Sequence, residues 1–142
     1  MAIQQLTPTQ ANDVLKATPD AAFVDVRSQG EFAAGHPAGA INVPYIFMDQ
    51  ATGAREQNAD FVTIVQALIP KDKTVVISCL SGGRSNAAAE LMAQAGYDTL
   101  VNVQGGWGGS GGVPGWQASG LPTSQETGEG VGYDSVKAKA GL

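Results

Sequence analysis

The sequence predicts an α/β fold: a parallel sheet covered by helices on both faces, with a reactive loop at the C-terminal edge of the strands. Two observations carry this reading. Short runs rich in β-branched and apolar residues alternate with runs of helical spacing along the whole chain. The stretch Cys79-Leu80-Ser81-Gly82-Gly83-Arg84-Ser85, which holds the single cysteine of 142 residues, lies between such a strand and such a helix. A chain of this length is one domain with a sizeable core and needs no disulfide or metal staple.

The elements follow in order. Ile3 to Leu6 reads as a short edge strand. Thr7 offers an N-cap hydroxyl, Pro8 takes the first helical position, and Ala11, Val14 and Leu15 give the run Thr9 to Lys16 one apolar face. Ala22 to Arg27 is a strand, apolar until it ends in charge. Ser28 and Glu31 have capping-box spacing and open a short helix stopped by Gly35. His36 to Pro44 reads as a turn, a three- or four-residue strand and a terminating proline, and Tyr45 to Gln57 as a surface excursion around a Thr52-Gly53 turn. Asn58 is expected to cap a helix through Leu68, since Phe61, Ile64, Val65 and Leu68 recur at helical spacing before Pro70.

Thr74 to Ser78 is the most strand-like run, and Asn86 to Gln94 an Ala-rich helix closed by Gly96. Thr99 to Gln104 is the last strand. Seven glycines and one proline between Gly105 and Gly115 mark a loop that Trp107 and Trp116 are expected to pin, either by packing or with one ring at a pocket mouth. Residues 1–122 are read as the single domain and 123–142 as a polar, Gly-rich tail, mobile from Thr123 to Gly132, with a possible short helix from Asp134 to Ala140.

Eight basic against thirteen acidic residues give a net charge of −5, which disfavours nucleic acid and anionic membrane as partners. The N-terminal residues lack a basic stretch followed by an apolar core, and no apolar run approaches a membrane-spanning length. The expectation is a soluble cytoplasmic protein. With one cysteine there is no internal resolving thiol, so whatever forms on Cys79 must be discharged by an outside molecule.

A lone cysteine is ordinarily a small buried hydrophobe. The neighbours of Cys79 argue otherwise. Gly82 and Gly83 let the backbone curl so that N–H groups point at the sulfur, the following helix adds its N-terminal donors and dipole, and Arg84 adds a permanent charge. These features favour an anionic nucleophile. Arg84 is the second candidate catalytic group, and Leu80, Ser81, Gly82, Gly83, Arg84 and Ser85 form the candidate binding loop, with Ser85 equally suited to capping the helix. His36, the sole histidine, is read as a structural hydrogen-bonding group. Asp25, Arg27 and Glu31 are read as a polar brace at a strand end.

Three segments together resemble the rhodanese family. Phe23-Val24-Asp25-Val26-Arg27 with Glu31-Phe32, Gly35-His36 and Gly39-Ala40-Ile41-Asn42-Val43-Pro44 is similar to its N-terminal signature. Cys79-x-x-Gly82-x-Arg84-Ser85 is similar to its active-site loop, and Val103-Gln104-Gly105-Gly106-Trp107 to its closing signature, over about Leu6 to Pro122. The resemblance is especially to single-domain thiosulfate sulfurtransferases of bacteria and plants. The resemblance implies a five-stranded parallel sheet, no metal or organic cofactor, and a Cys79 persulfide. That persulfide would be loaded by a small-molecule donor such as thiosulfate and emptied by cyanide or a thiol, including a protein thiol. His36-Pro37-Ala38-Gly39 departs from the usual order of this motif, and Gly108 to Gly115 looks longer than the usual helix at this point, which bears on the pocket mouth more than on the chemistry.

Rival readings differ in loop size or in partner. Related phosphatases separate cysteine and arginine by five residues, whereas four separate Cys79 from Arg84, a smaller ring suited to one sulfur rather than to a phosphoryl group. Arsenate reduction, a non-catalytic partner-binding module and a persulfide carrier remain alternatives. The carrier shares every active-site residue with the enzyme.

Overall fold

The computed structural model describes residues 3–49 and 51–142; Met1, Ala2 and Gln50, which the N-terminal and Tyr45–Gln57 readings include, lie outside them. Five strands form one all-parallel sheet: β1 (Ile3–Leu6), β2 (Ala22–Asp25), β4 (Ile41–Asn42), β7 (Thr74–Ser78) and β8 (Thr99–Val103), in the spatial order β1-β8-β7-β2-β4. Between them run α1 (Pro8–Ala17), α2 (Gln29–Ala34), α3 (Phe61–Leu68) and α4 (Gly83–Gln94). Two small pairings lie outside the sheet. They join β3 (His36–Pro37) to β9 (Thr123–Ser124) and β5 (Ile46–Met48) to β6 (Arg55–Gln57), both antiparallel. The chain closes with α5 (Tyr133–Lys139).

Strand alternation sorts the core into two layers. Val24, Val75, Ile77 and Leu100 face one side, where Phe61, Ile64 and Val65 of α3, Ala88, Ala89 and Met92 of α4, and Val136 of α5 cover them. Phe23, Val76 and Val101 face the other, against Ala11 of α1, Phe32 of α2 and Trp116. Helices on both faces and five parallel strands are what the sequence predicts.

The helix starts come from local chemistry. Thr7 and Ser28 each form a capping box, the N3 partners being Gln10 and Glu31. β2 stops at Asp25, before the predicted Arg27, because the Asp25 carboxylate accepts the Arg27 backbone N–H at 3.0 Å and turns the chain. Asn58 does not cap α3. The helix begins at Phe61 with Asp60 at the cap position, while the Asn58 side chain donates to the Pro44 carbonyl and the Tyr133 hydroxyl. Within the Tyr45–Gln57 excursion, Ile46–Met48 and Arg55–Gln57 pair as an antiparallel hairpin. Its alternation sends Phe47 inward onto Tyr133, with ring centroids 5.8 Å apart.

The polar tail is held rather than free. β9 pairs with β3, the Glu126 carbonyl lies 2.7 Å from His36 Nε2, and Tyr133 and Val136 are buried in the core. The sequence hid this because the anchoring side chains are sparse: Tyr133 and Val136 are buried, and half-buried Val131 and Ala140 pack beside the core. Among the described residues no helix is long and apolar enough to cross a membrane. Tyr133→Ala removes a buried ring and a hydrogen-bonded hydroxyl, and is expected to cost about 3 kcal/mol in urea unfolding; a loss below about 0.5 kcal/mol would show that α5 is a passive appendage.

Candidate active site

Cys79 follows the last residue of the central strand β7 and precedes α4, so the sheet delivers its side chain to the C-terminal edge. The helix starts at Gly83, three residues before the predicted Asn86, and Arg84 and Ser85 therefore occupy its first turn. Gly82 is the N-cap residue with φ of +108°, a conformation that a side chain would strain. That turn aims the Gly82 N–H at Cys79 Sγ, 3.1 Å away, and the Ser85 hydroxyl contacts the same sulfur at 3.3 Å. Of the expected ring of N–H donors, the Gly82 N–H reaches the sulfur, and the side chain of Ser85 supplies the second contact.

Behind the sulfur lies a polar relay that the sequence did not reveal. Ser85 Oγ also contacts Asn102 Oδ1, and Asn102 Nδ2 donates to Gln5 Oε1 at 2.7 Å and to the Gly82 carbonyl at 3.3 Å. Asn102 and Ser85 are buried, and the pair fixes the serine rotamer from β8. Nothing but the polar residue in an otherwise apolar strand run marked Asn102 out.

The loop is closed from outside by the glycine-rich segment. Trp107 N–H donates to the Cys79 carbonyl and Gly108 N–H to the Leu80 carbonyl, both at 2.8 Å. Such close approach requires Gly106, since a Cβ there would run into the Cys79 carbonyl oxygen. Neither tryptophan lines the pocket over Cys79. Trp116 packs on Phe23, with centroids 5.2 Å apart, and donates to the Pro122 carbonyl, while the Trp107 ring lies 5.1 Å from the Arg27 guanidinium carbon.

Above the thiol opens a pocket of about 370 Å³. The loop lines it with Cys79, Leu80 and Ser81, α4 with Arg84, α2 with Glu31, and the β5–β6 hairpin with Ile46, Met48 and Arg55. Leu80 and Met48 are 43% and 42% exposed at its mouth. Of the predicted loop residues, Gly82, Gly83 and Ser85 do not line this pocket: Gly82 caps the helix with its N–H on the sulfur, Gly83 begins the helix and Ser85 supports the sulfur from behind. The three hairpin residues escaped the sequence reading because only the pairing of β5 with β6 turns them toward the loop.

Arg84 does not stand free beside the sulfur. Its Nη1 and Nη2 donate to Glu31 Oε1 and Oε2 at 2.7 and 3.0 Å. These hydrogen bonds, opposed by burial and aided by the charges of Glu31, Cys79 and Asp25, raise the Arg84 pKa further. Glu31 is thus more than a strand-end brace. It accepts from the Ser28 N–H and hydroxyl as the capping-box partner and from Arg84 across the pocket. Burial raises its pKa, but the bonds from Arg84 and Ser28 and the charge of Arg84 outweigh burial and bring it from 4.5 down to about 2.

Asp25 and Arg27 form the buried brace, with Arg27 Nη2 donating to Asp25 Oδ2 at 2.8 Å and to the Gly35 carbonyl at 2.7 Å. His36 is buried, stacks on Phe32 with centroids 3.6 Å apart and contacts the Pro37 and Glu126 carbonyls. Among the described residues no group of three or more His, Cys, Asp or Glu side chains converges as a metal site.

The chain matches the family model for the rhodanese-like domain over residues 7–109. It is 35% identical over 115 residues to thiosulfate sulfurtransferase 16, chloroplastic, of Arabidopsis thaliana, covering 81% of this chain and 88% of that protein. It is 32% identical over 131 residues to thiosulfate sulfurtransferase GlpE of Actinobacillus succinogenes, covering 92% and 97%. The crystal structure of Rv0390 from M. tuberculosis superimposes with a TM-score of 0.74 at 31% identity, covering 89% of this chain and all of that one.

Two predictions follow from this geometry. Gly106→Ala, with φ of +51° and no room for a methyl group, is expected to cost about 2 kcal/mol in urea unfolding; wild-type stability would mean the clamp tolerates a side chain. For Glu31, the folded carboxylate binds its proton more weakly than the unfolded one. Its stabilisation is therefore complete above pH 4.5 and lost as pH falls toward about 2. Discounted for the solvent that reaches the pair, it amounts to about 1 kcal/mol. The stability gap between wild type and Glu31→Gln should shrink across that window, and a gap independent of pH would refute the assignment.

Proposed function

The chain belongs to the rhodanese-like domain family, and from that membership we propose that it is a thiosulfate sulfurtransferase working through a persulfide on Cys79. The observation that carries the reading is the sulfur itself. It lines a pocket at the end of the central strand, accepts a hydrogen bond from the Gly82 N–H and has the Ser85 hydroxyl beside it.

In the first half-reaction the Cys79 thiolate attacks the outer, sulfane sulfur of thiosulfate. A new S–S bond forms, the bond to the sulfonate sulfur breaks with its electron pair, and sulfite departs. The charge is conserved, the persulfide keeping one negative charge on its terminal sulfur. In the second half-reaction cyanide or a thiolate attacks that terminal sulfur, leaving with it as thiocyanate or a new persulfide, and Cys79 returns as thiolate. Gly82 N–H and Ser85 Oγ hold the attacking sulfur in place, and the helix N-terminus with Arg84 supplies positive potential where charge accumulates. Leu80 and Ser81 shape the space around the terminal sulfur. No step calls for a metal or an organic cofactor, and a reducing compartment such as the cytoplasm suits an unpaired thiol.

The exposed Leu80 and Met48 at the pocket mouth favour one variation, in which the acceptor thiol belongs to a protein and the chain acts as a persulfide carrier. Intact-mass measurement after brief incubation with thiosulfate tests both. A gain of one sulfur atom, removed by cyanide or a small thiol and lacking in Cys79→Ser, is the expected result. A persulfide that forms but resists both small acceptors selects the carrier. No gain from thiosulfate or from an organic persulfide would overturn the enzyme assignment.

A further inference from the structure

The pocket over Cys79 holds two arginines in different circumstances. Arg84 presents its forked donors to Glu31, and its charge is matched by that carboxylate. Arg55 is exposed, lines the same pocket, and among the described residues makes neither an ion pair nor a side-chain hydrogen bond. Its place is set by strand register. Arg55 pairs directly with Met48, so the two side chains share a face of the hairpin, and Ile46, two residues from Met48, shares it as well. Phe47 and Glu56 point the opposite way.

The charges then decide what the pocket accepts. Glu31 offsets most of the Arg84 charge and the reacting thiolate adds one negative charge, so the α4 N-terminus is the main attraction left on that side for a dianionic donor. Arg55 is the one lining charge left to add to that attraction. A guanidinium also presents paired donors to a tetrahedral oxoanion, which neither Met48 nor Ile46 can do. We propose that Arg55 docks the oxoanion end of the sulfur donor, the part that departs as sulfite, and so makes the pocket selective for donors whose departing group is an oxoanion. This inference rests on the sulfurtransferase reading.

The test compares wild type, Arg55→Gln and Arg55→Lys with thiosulfate and with an uncharged dialkyl trisulfide, over a range of ionic strength. Arg55→Gln should raise the KM for thiosulfate about five- to tenfold, the size expected of a partly exposed charge acting on a dianion, and should flatten its salt dependence. The trisulfide should suffer a smaller loss, and Arg55→Lys should recover most of the thiosulfate KM. An unchanged thiosulfate KM, or equal losses for both donors, would overturn the role of Arg55 while leaving the reaction intact. Wild-type protein that acquires no sulfur on Cys79 from thiosulfate or from an organic persulfide would instead overturn the reading on which the inference rests.

Discussion

Two backbone hydrogen bonds hold the site in its shape: Trp107 N–H to the Cys79 carbonyl and Gly108 N–H to the Leu80 carbonyl. They join the segment after β8 to the loop after β7, neighbouring strands whose ends would otherwise diverge into solvent. Gly106 permits the approach, and the conformation of Gly82 completes the turn that brings a donor to the sulfur. With the loop backbone fixed on one side by these bonds and on the other by Ser85 and Asn102, the thiol has few orientations left to it. Rigid support of this kind reduces the reorganisation required when charge develops on a reacting group.

The second organising feature is the way ionic groups are shared between elements. Glu31 terminates one helix start and anchors the first turn of another, linking α2 to α4 across the pocket. Asp25 and Arg27 do similar service beneath it, tying the end of β2 to the Gly35 carbonyl, while the Asn42 side chain binds the Asp25 and Arg27 carbonyls at 3.0 Å each. A buried charge is costly unless it is paired and hydrogen-bonded, and here each pair also satisfies backbone groups at strand and helix ends. The result is a pocket wall whose polar parts are mutually neutralised, which leaves the hairpin to decide what sign of charge is welcome.

The sheet was legible because its physics is local. Thr74 to Ser78 is β-branched and apolar, Thr7 and Ser28 carry their caps within three residues, and the cysteine-glycine-arginine loop stands between a strand and a helix. The parts that stayed hidden depend on partners far away in sequence. Asn102 reads as a strand residue until Ser85, seventeen positions earlier, is folded against it. Glu31 reads as a capping residue and part of a strand-end brace until Arg84, fifty-three positions on, reaches it. Arg55 and Met48 sit in a stretch with no clean periodicity, and only cross-strand pairing gives them a common direction. Tyr133 is one aromatic in a polar tail, and its burial depends on Phe47 and Asn58 being brought to meet it.

The β5–β6 hairpin is attached to the body by a few contacts: Phe47 on Tyr133, Tyr45 on Phe61 and through its N–H to the Val26 carbonyl, and Asn58 at the base. Among the described residues, no ladder bond of the five-stranded sheet passes through it. Substitutions, insertions or deletions between Met48 and Arg55 therefore leave the support of the nucleophile untouched. The reacting sulfur is bound to the slow divergence of a core, while the surface that meets its substrates is free to drift as quickly as any exposed loop. One scaffold can in this way explore new substrates without risking the chemistry it already performs.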